Sequence, residues 1–289
     1  MKILVVGAAG RLGSALARGC SGWADVTAAA RGDLDVRDRR AVTDLVARLR
    51  PDVVVNGAAW TDVDRAEDEP AEALAVNAFA VRGLAAAARS AGAALVHFST
   101  DFVFDGAGDR PYREEDPPNP QSVYARSKLV GERFAREAPR HYVLRVESLF
   151  GWPPGEPRRT SVDRLIDAIA EGREAPVFVD RVVSPSYRDD VAAAAGRLIA
   201  AGAAPGLYHC VNSGSCTFEE LAIEVGRQLG VEPRLRRLRM ADAGLRAKRP
   251  LRSALANARI AAAGAPMPGW QDAVARCLAR RADAPRPVR

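Results

Sequence analysis

Cysteine, histidine and lysine are scarce in this chain of 289 residues. Its four cysteines and three histidines are dispersed without close paired spacing, so the sequence predicts neither a disulfide framework nor a metal site. No continuous apolar run approaches the roughly 20 residues of a membrane-spanning helix. The chain opens on a strand-like segment rather than on a basic, apolar, cleavable leader. These absences favour a cytoplasmic protein with reduced thiols, no metal and no membrane partner.

Basic charge is plentiful but dispersed. Forty-two Lys and Arg residues against 36 acidic ones give a formal charge of +6 and a pI of about 9.5. The arginines are scattered along the chain and no groove-reading motif accompanies them, so a small anionic ligand is favoured over nucleic acid. An apolar content of 48% and a charged content of 27% are ordinary for a globular protein.

The first half of the chain alternates short apolar runs with helical patterns. The predicted strands are Lys2–Val6, Val26–Ala30, Pro51–Val55, Ala94–Phe98 and Tyr142–Val146. The predicted helices begin at Ser14 and cover 41–49, 71–90 and 124–137. Continuous apolar strands that alternate with helices are typical of a parallel sheet covered on both faces. The predicted fold class is therefore α/β, with a doubly wound parallel sheet.

The regular alternation weakens after Trp152-Pro153-Pro154-Gly155, which indicates a change of domain. We predict a first domain over 1–151, to which 184–201 returns. A smaller, partly interleaved C-terminal substrate domain is predicted from 152–183 and 202–281. The Pro- and Arg-rich segment 282–289 is predicted to be a disordered tail.

Gly7 to Gly13 has the pattern Gly-x-x-Gly-x-x-Gly between the first strand and its helix. Such glycines permit a tight turn and let a pyrophosphate approach the free N–H groups of a helix N-terminus. The pattern therefore predicts a dinucleotide site in a Rossmann-type domain. Because the second strand ends at Arg31 and Arg11 lies in the loop, NADP(H) is favoured, with NAD(H) as the alternative. Asp35-Val36 is a candidate adenine contact, although Asp35 could equally cap a turn.

Tyr124 and Lys128 are four residues apart, which places both on one face of the predicted helix. A nearby ammonium would lower the pKa of the phenol, and Tyr124 could then exchange a proton with a carbonyl or an alcohol. A surface contact between the two side chains explains the spacing equally well. The glycine loop and Thr100, which follows the fourth strand, favour the catalytic interpretation.

Taken together, these residues resemble the extended short-chain dehydrogenase/reductases, and within them the dTDP-4-dehydrorhamnose reductases. In the first half of the chain the motifs occur in the order and spacing of the family, and a weaker resemblance continues in the second half. Its motifs are Gly7–Gly13, Pro51–Glu67, Val76-Asn77, Ser99–Gly106, Tyr124–Glu132, Ser184–Ser186, Arg249-Pro250 and Gly269-Trp270. It implies that Thr100 bonds the substrate oxygen, that Tyr124 donates the proton, and that Lys128 binds the nicotinamide ribose and lowers the pKa of Tyr124.

The resemblance also assigns binding residues. The expected cofactor contacts are Gly7, Gly10, Arg11, Leu12, Gly13, Arg31, Asp35, Val36, Ala58, Ala59, Tyr124 and Lys128. The expected substrate contacts are Thr61, Asp101, Phe102, Ser148, Arg181 and Arg249. Arg158, Arg159, Arg181 and Arg249 are candidate clamps for a diphosphate. No metal is expected.

The substrate side departs from the family pattern. Phe102 replaces a tyrosine, Ser148 replaces an aromatic residue, and the acidic pair that dehydratases place after the threonine is absent. Simple carbonyl reduction is thus favoured over dehydration, on a nucleotide sugar that can differ from the rhamnose precursor.

The predicted function is NADPH-dependent reduction of a keto group on a nucleotide-linked deoxysugar by a monomer or homodimer. Three alternatives stay open at this point. The chain could be a nucleotide-sugar epimerase, another carbonyl reductase, or a non-catalytic NADP-binding regulatory subunit similar to the beta subunit of methionine adenosyltransferase.

Overall fold

The computed structural model describes residues 1–151 and 160–282, in which short strands alternate with helices. The strands are β1 (Lys2–Val6), β2 (Asp25–Ala29), β3 (Val53–Asn56), β4 (Ala94–Thr100), β5 (His141–Val146), β6 (Leu149–Phe150), β7 (Ala175–Phe178), β8 (Val182–Val183), β9 (Ser186–Tyr187), β10 (Gly206–His209), β11 (Cys216–Thr217) and β12 (Leu235–Leu238). The helices are α1 (Arg11–Cys20), α2 (Arg39–Leu49), α3 (Arg65–Asp68), α4 (Pro70–Leu74), α5 (Ala80–Ala91), α6 (Val123–Ala135), α7 (Ser161–Ala170), α8 (Arg188–Ala200), α9 (Phe218–Leu229), α10 (Ala258–Ala262) and α11 (Trp270–Ala282). The predicted strands and helices of the first half are confirmed, with ends shifted by at most a few residues.

Six strands form one sheet in the order β2-β1-β3-β4-β5-β10. Every neighbouring pair in this sheet is parallel. The winding direction reverses at β1, which lies between β2 and β3. In doubly wound sheets, ligands bind beyond the carboxyl ends of the strands at this reversal. The predicted α/β, Rossmann-type class is confirmed, and the topology places the glycine loop at the binding edge.

Both faces of the sheet are buried at the inner strands β1, β3 and β4. Ile3 and Val5 of β1 pack in a cluster with α1 and α8. Leu4 and Val6, which point to the other face, pack in a cluster with α2 and α5. Because successive strand residues face opposite sides, a strand covered on both sides must be apolar at every position. This requirement explains why these strands are continuous apolar runs.

A single helical run, Pro70–Ala91, joins α4 and α5 through a π-helical turn at Ala75–Phe79. Within the described ranges, this 22-residue run is the one helix long and apolar enough to cross a membrane. The run is not continuously apolar, because Glu72, Asn77, Arg82 and Arg89 interrupt it. The run packs against α2, α6, β3 and β4, and burial within the protein accounts for its apolar composition.

A second group of elements lies beside the main sheet. α7, α9 and α11 surround an apolar cluster that includes Phe150, Ile166, Leu221 and Trp270. Three two-stranded sheets accompany it, namely β8 with β11, β7 with β12, and β6 with β9. β6 follows β5 directly, so this smaller layer is connected to the edge of the sheet at which β5 ends.

The predicted division into domains stays a prediction, and two structural facts bear on its boundaries. α8, within the segment 184–201, packs on α1 of the first half. β10 pairs with β5 in the main sheet, so its predicted place in the second domain with the rest of 202–281 is wrong. A four-residue strand after an irregular stretch gives too short an apolar signal to be found. Trp152–Gly155, Arg158, Arg159 and, apart from Ala282, the predicted tail lie outside the described residues.

Candidate active site

The glycine loop forms a close-packed cradle between β1 and α1. Gly7 has a φ of +70°, and a Cβ on it would lie 2.6 Å from the backbone nitrogen of Ala58. A Cβ on Gly13 would lie 2.2 Å from the carbonyl oxygen of Gly7. Gly10 is the N-cap of α1 and makes no side-chain hydrogen bond to its first turn, and a helix N-terminus favours an anion. The cradle fits a pyrophosphate because Gly7 and Gly13 bring backbone rather than side chains to it.

A cavity of about 400 Å³ continues from this cradle along the carboxyl ends of β1, β2 and β3. Its lining includes seven of the predicted cofactor residues, namely Gly7, Gly10, Arg31, Asp35, Val36, Ala58 and Ala59. Leu12 and Gly13 are buried in α1 behind the loop. The volume and lining suit the adenosine portion of a dinucleotide.

Arg37 is a cavity residue that sequence reasoning missed. Its guanidinium donates to the carboxylate of Asp35 at 2.6 Å and to Glu72 at 3.0 Å. Hydrogen bonds from Arg37 lower the pKa of Asp35 to about 2. Asp35 is thus held as an anion by a neighbour two positions along the chain. The position of Arg37 just beyond Asp35 was the available signal, but arginine is too common in this chain for it to stand out.

Thr100, Tyr124 and Lys128 meet at the carboxyl end of β4. Ser122 caps α6 by accepting from the backbone N–H of Ala125, which fixes the turn that carries Tyr124. The hydroxyl of Thr100 donates to Asp101 Oδ1 at 3.0 Å and lowers the pKa of the neighbouring Tyr124. The side chain of Lys128 is buried, and its Nζ donates to the carbonyl oxygen of Phe98 at 2.6 Å. The structure therefore brings the three predicted catalytic residues to one place.

The pKa of Tyr124 differs from the expected direction. Burial raises it to about 12, against the lowering effects of the Thr100 hydroxyl and the Arg11 charge. Lys128 is not among the groups that lower it, so that expectation is wrong for the protein alone. Burial also lowers the pKa of Lys128 to about 8. The helical spacing predicts that Tyr124 and Lys128 lie close together. Their pKa shifts are dominated by desolvation, which the spacing does not reveal.

Buried polar contacts position the catalytic helix. Asn77 donates to the hydroxyl of Ser127 at 2.9 Å and accepts from the backbone of Trp60 at 2.9 Å, joining α6 to the loop after β3. Gly131 lets α6 approach this site, because a Cβ there would lie 2.1 Å from the carbonyl oxygen of Asn77. These contacts explain why the segment after Tyr124 requires a small residue at 131.

The glutamate that follows Gly131 completes this support. Glu132 accepts from Ser99 at 2.6 Å and forms a buried ion pair with Arg145 at 2.8 Å. The pair ties α6 to β4 and β5, so the helix that carries Tyr124 is anchored to the sheet. Removing one member would leave an uncompensated buried charge.

The predicted substrate residues are placed less uniformly. Phe102 packs edge-on against Tyr124, with ring centroids 5.7 Å apart, and lies beside Arg181. Asp101 is buried directly after Thr100. Ser148 has a φ of +42°, an uncommon backbone conformation for a residue with a side chain. Thr61 is exposed in the loop after β3.

Both described diphosphate-clamp candidates have protein carboxylates as neighbours, and one of them forms an ion pair. Arg249 makes a two-pronged ion pair with Asp64, at 3.0 and 2.7 Å. Arg181 is buried and faces the charges of Asp101 and Glu147. A clamp role for Arg249 would require its guanidinium to leave Asp64, and the clamp role of both arginines stays a prediction. Among the described residues, no group of three or more His, Cys, Asp or Glu side chains could hold a metal ion.

Comparison with known proteins places this site in context. The family model described as the RmlD substrate binding domain matches residues 1–282. A dTDP-4-dehydrorhamnose reductase from Streptomyces griseus is 42% identical, over 94% of this chain and 91% of its own length. A probable dTDP-4,6-dihydroxy-2-methyloxan-3-one 4-ketoreductase from Streptomyces antibioticus is 39% identical, over 95% of this chain and 93% of its own length.

Solved structures agree with these relatives. The crystal structure of a dTDP-4-dehydrorhamnose reductase from Bacillus anthracis, in complex with NADP, has a TM-score of 0.89 and 29% identity, covering 96% of this chain and 99% of that one. The corresponding protein from Clostridium acetobutylicum has a TM-score of 0.89 and 32% identity, covering 97% of this chain and 99% of that one.

Proposed function

The chain belongs to the RmlD substrate-binding-domain family, and from this premise we propose that it is an NADPH-dependent 4-ketoreductase of a nucleotide-linked deoxysugar. The observation that carries the proposal is the convergence of Thr100, Tyr124 and Lys128, together with a cradle in which Gly7 and Gly13 leave no room for a side chain. A glycine cradle binds the cofactor, and an adjacent phenol can supply a proton. Together they meet the two requirements of carbonyl reduction.

We propose that the cofactor lies along the carboxyl ends of the strands from β2 to β4. The N–H groups at the start of α1 would hold the pyrophosphate. Arg31 and Arg37 border the cavity on the adenosine side, where a guanidinium suits the extra phosphate of NADP. The buried ammonium of Lys128 would bind the nicotinamide ribose, replacing its contact with Phe98. When bound, NADPH supplies a hydride to the carbonyl carbon.

The side chains on the substrate side would then control the oxygen of the ketone. We assign Thr100 to bond this oxygen and Tyr124 to donate its phenolic proton as the alkoxide forms. The raised pKa of Tyr124 keeps the phenol protonated at neutral pH, so the acid is present before the reaction begins. Phe102 packs against Tyr124 and lies beside Arg181, and we propose that these two neighbours shape the choice of sugar.

Cellular setting is proposed from the same features. A nucleotide-sugar substrate is consistent with the names of the relatives. We propose that the enzyme acts in the cytoplasm as a monomer or homodimer, without a nucleic-acid or membrane partner. The scattered arginines and the buried position of the apolar helix support this setting.

The test is NADPH oxidation with a panel of 4-keto dTDP-deoxysugars that includes the substrates after which both relatives are named. We expect one NADPH consumed for each alcohol formed with at least one member of the panel. Interconversion of sugars without net oxidation of the cofactor would indicate an epimerase instead. Binding of NADPH with no turnover across the panel would contradict the proposal and favour a regulatory subunit.

A further inference from the structure

Glu67 of α3 makes a contact that the reduction described above leaves unused. Its Oε1 accepts from the backbone N–H of Val123 at 2.8 Å, across 56 positions of the chain. Val123 is the first residue of α6, and Tyr124 follows it directly. Glu67 ends the motif Pro51–Glu67, and the sequence alone assigns it no role. The contact places a side chain of another element one residue before the proton donor.

Side-chain oxygens hold the first turn of α6 from two directions. The hydroxyl of Ser122 accepts from the backbone N–H of Ala125 at 3.2 Å, and Glu67 accepts from that of Val123. The first N–H groups of an α-helix have no partner within the helix. A carboxylate suits this position, because its hydrogen bond is charge-assisted and the helix dipole favours an anion. Ser122 belongs to the chain that enters α6, whereas Glu67 fixes the turn to a separate part of the fold.

α3 depends on other contacts for its own position. It has only four residues, and a helix of this length is not stable by itself in water. Asp64, which precedes it, makes the two-pronged ion pair with Arg249 and accepts from the backbone N–H of Ala247 at 2.9 Å. Asp68, its last residue, forms an ion pair with Arg246. Both ends of α3 are therefore bonded to the segment that carries these two arginines.

This segment, 246–249, is fixed in the smaller layer, and we call it the strap. Just beyond it, the carbonyl oxygen of Leu251 accepts from the backbone N–H of Val182 in β8 at 2.7 Å. Pro250 and Leu251 also lie close to Gly106, where an added Cβ would come within 2.6 Å of an atom of each. The strap is thus anchored both to β8 and to the loop that follows β4.

The contacts connect the strap through α3 to the first turn of α6. The ion pair between Asp64 and Arg249 is the kind that holds a defined geometry, because it is two-pronged and the Arg249 side chain is only 14% exposed. Tyr124 must lie within hydrogen-bond reach of the ketone oxygen, and a misplacement of about 1 Å can lower a rate by about 10²-fold. Loss of a contact on either side of α3 should therefore reach the acid.

We propose that Glu67 is a positioning residue for Tyr124, and that the ion pair of Asp64 with Arg249 holds α3 in the place from which Glu67 reaches α6. The proposal rests on the ketoreductase function. Glu67 acts through a backbone N–H, so the amide oxygen of a glutamine can replace its carboxylate oxygen, whereas alanine offers no acceptor. The smaller layer thereby sets the position of an acid that the first half of the chain carries.

Glu67→Ala and Glu67→Gln test the contact, with Asp52→Ala as the matched control. Asp52 also accepts from a distant backbone N–H, that of Lys2 at 2.7 Å, but at the amino ends of the strands, opposite the site. With saturating NADPH and the best ketone of the panel, Glu67→Ala should lower turnover by about tenfold or more. Glu67→Gln should restore it to within about threefold of wild type, and Asp52→Ala should leave it unchanged.

NADPH affinity separates positioning of the acid from a general loss of structure. By fluorescence titration, the dissociation constant of NADPH should change by less than about twofold in all three variants, because the contact lies at α6 and not at the glycine cradle. A hydrogen bond that only stabilises the fold would leave the turnover of the folded enzyme unchanged. Turnover in Glu67→Gln as low as in Glu67→Ala would overturn the proposal.

Asp64→Ala tests the ion pair. We expect turnover to fall by about three- to tenfold, because α3 is no longer held by Arg249. The double variant Asp64→Ala/Glu67→Ala should be within about twofold of Glu67→Ala, since both changes act through the same turn. Losses that multiply in the double variant would overturn the role assigned to the ion pair.

Hydrogen exchange gives a readout that does not require activity. In protein without substrate, the amides of the first turn of α6 should exchange about tenfold faster in Glu67→Ala, and at the wild-type rate in Glu67→Gln and Asp52→Ala. Unchanged exchange or unchanged turnover in Glu67→Ala would overturn the proposal. If Glu67→Ala does not fold, Asp64→Ala decides, and wild-type exchange and turnover in that variant would overturn it. Failure of the wild type to reduce any ketone would refute the ketoreductase function alone, since exchange still reports on the turn.

Discussion

The cofactor side and the catalytic side of this site are built on different physical principles. The cofactor side consists of turns after β1, β2 and β3, with backbone groups in the cradle and partly exposed ions such as Arg37 and Asp35 at the rim. The catalytic side consists of buried ionisable groups that come from β4, α6 and the segments after β5 and β7. The shape of the cofactor side depends on close approach of backbone segments. The acidity of the groups on the catalytic side depends on the removal of charge from water.

The difference determines how each region responds to change. An added methyl group in the cradle meets backbone atoms that cannot move aside. A changed charge on the catalytic side alters the acidity of its neighbours, because desolvation is the largest cause of the pKa shifts of Tyr124, Lys128 and Glu147. Steric substitutions should therefore act through binding and stability, whereas substitutions of buried ionisable groups should act through turnover and pH dependence.

The largest expected effect is that of Tyr124→Phe. Loss of the phenolic proton should reduce turnover by about 10²- to 10⁴-fold while NADPH affinity changes by less than about threefold. Tyr142→Phe is the matched control, since Tyr142 is also buried and donates to the carbonyl oxygen of Ala203 at 2.7 Å. That variant should keep its turnover. Steady-state kinetics and fluorescence titration with NADPH measure both quantities, and an unchanged rate in Tyr124→Phe would remove the assigned role.

Lys128→Met tests burial of charge on the catalytic side. The folded pKa of Lys128 is about 8, against 10.5 when exposed. Below pH 8 the fold must hold a buried ammonium. Between pH 8 and 10.5 the unfolded state binds more protons, so this contribution to stability rises with pH. Holding the buried ammonium of Lys128 costs the folded state at most roughly 3 kcal/mol at pH 7, and the hydrogen bond to Phe98 offsets part of this cost.

Lys128→Met should therefore gain most stability relative to wild type at pH 7, and the gain should shrink toward pH 10.5. Urea unfolding of both proteins at several pH values measures the difference. Lys248→Met, at an exposed lysine, supplies the baseline for loss of a lysine. A stability difference that stays constant between pH 7 and pH 10 would show that burial does not govern this side of the site.

Gly13→Ala tests the steric principle of the cradle. Its Cβ would lie 2.2 Å from the carbonyl oxygen of Gly7, so we expect a loss of about 1–3 kcal/mol in the free energy of unfolding and at least about tenfold weaker NADPH binding. Gly19→Ala is the control in the same helix, where no atom lies within 4 Å of the added carbon. That variant should gain about 0.5–1 kcal/mol. Equal behaviour of the two variants in urea unfolding would refute the steric account.

The same contrast explains what the sequence predicts well. Gly7 to Gly13 and the apolar strands are local patterns in the sequence. The glycines indicate a tight turn and the apolar runs indicate burial on both faces, and neither inference requires knowledge of the fold. Convergence of Thr100 with Tyr124 also followed, because both lie in recognised motifs. The parallel sheet and the position of the cradle at its edge were predictable for this reason.

The buried contact between Glu147 and Ser253 was not predictable, because the two residues meet only in the folded chain. Ser253 reaches Glu147 across 106 positions, and no spacing rule connects them. Burial, which sets the acidity of Glu147 and reversed the expected shift of Tyr124, is a property of the assembled layers rather than of a motif. Arg181 shows the same limit, since its charge pointed to an anionic ligand while the fold directs it to buried carboxylates.

The smallest expected effect, a change in the choice of cofactor, is on the cofactor side. In Arg37→Ala a guanidinium at the cavity rim is lost, and Asp35 is released from its ion pair. NADPH binding should weaken because one cation is gone, and NADH binding should improve because a freed carboxylate can accept a ribose hydroxyl. Because the pair is exposed and screened by salt, we expect only about a five- to tenfold change in the ratio of the two dissociation constants, smaller at high ionic strength.

Arg40→Ala, at an exposed arginine of α2 outside the cavity lining, should leave the ratio unchanged. If Arg37→Ala weakens the binding of NADPH and NADH equally, this arginine stabilises the loop after β2 and does not recognise the phosphate. Recognition of NADP would then depend on Arg31.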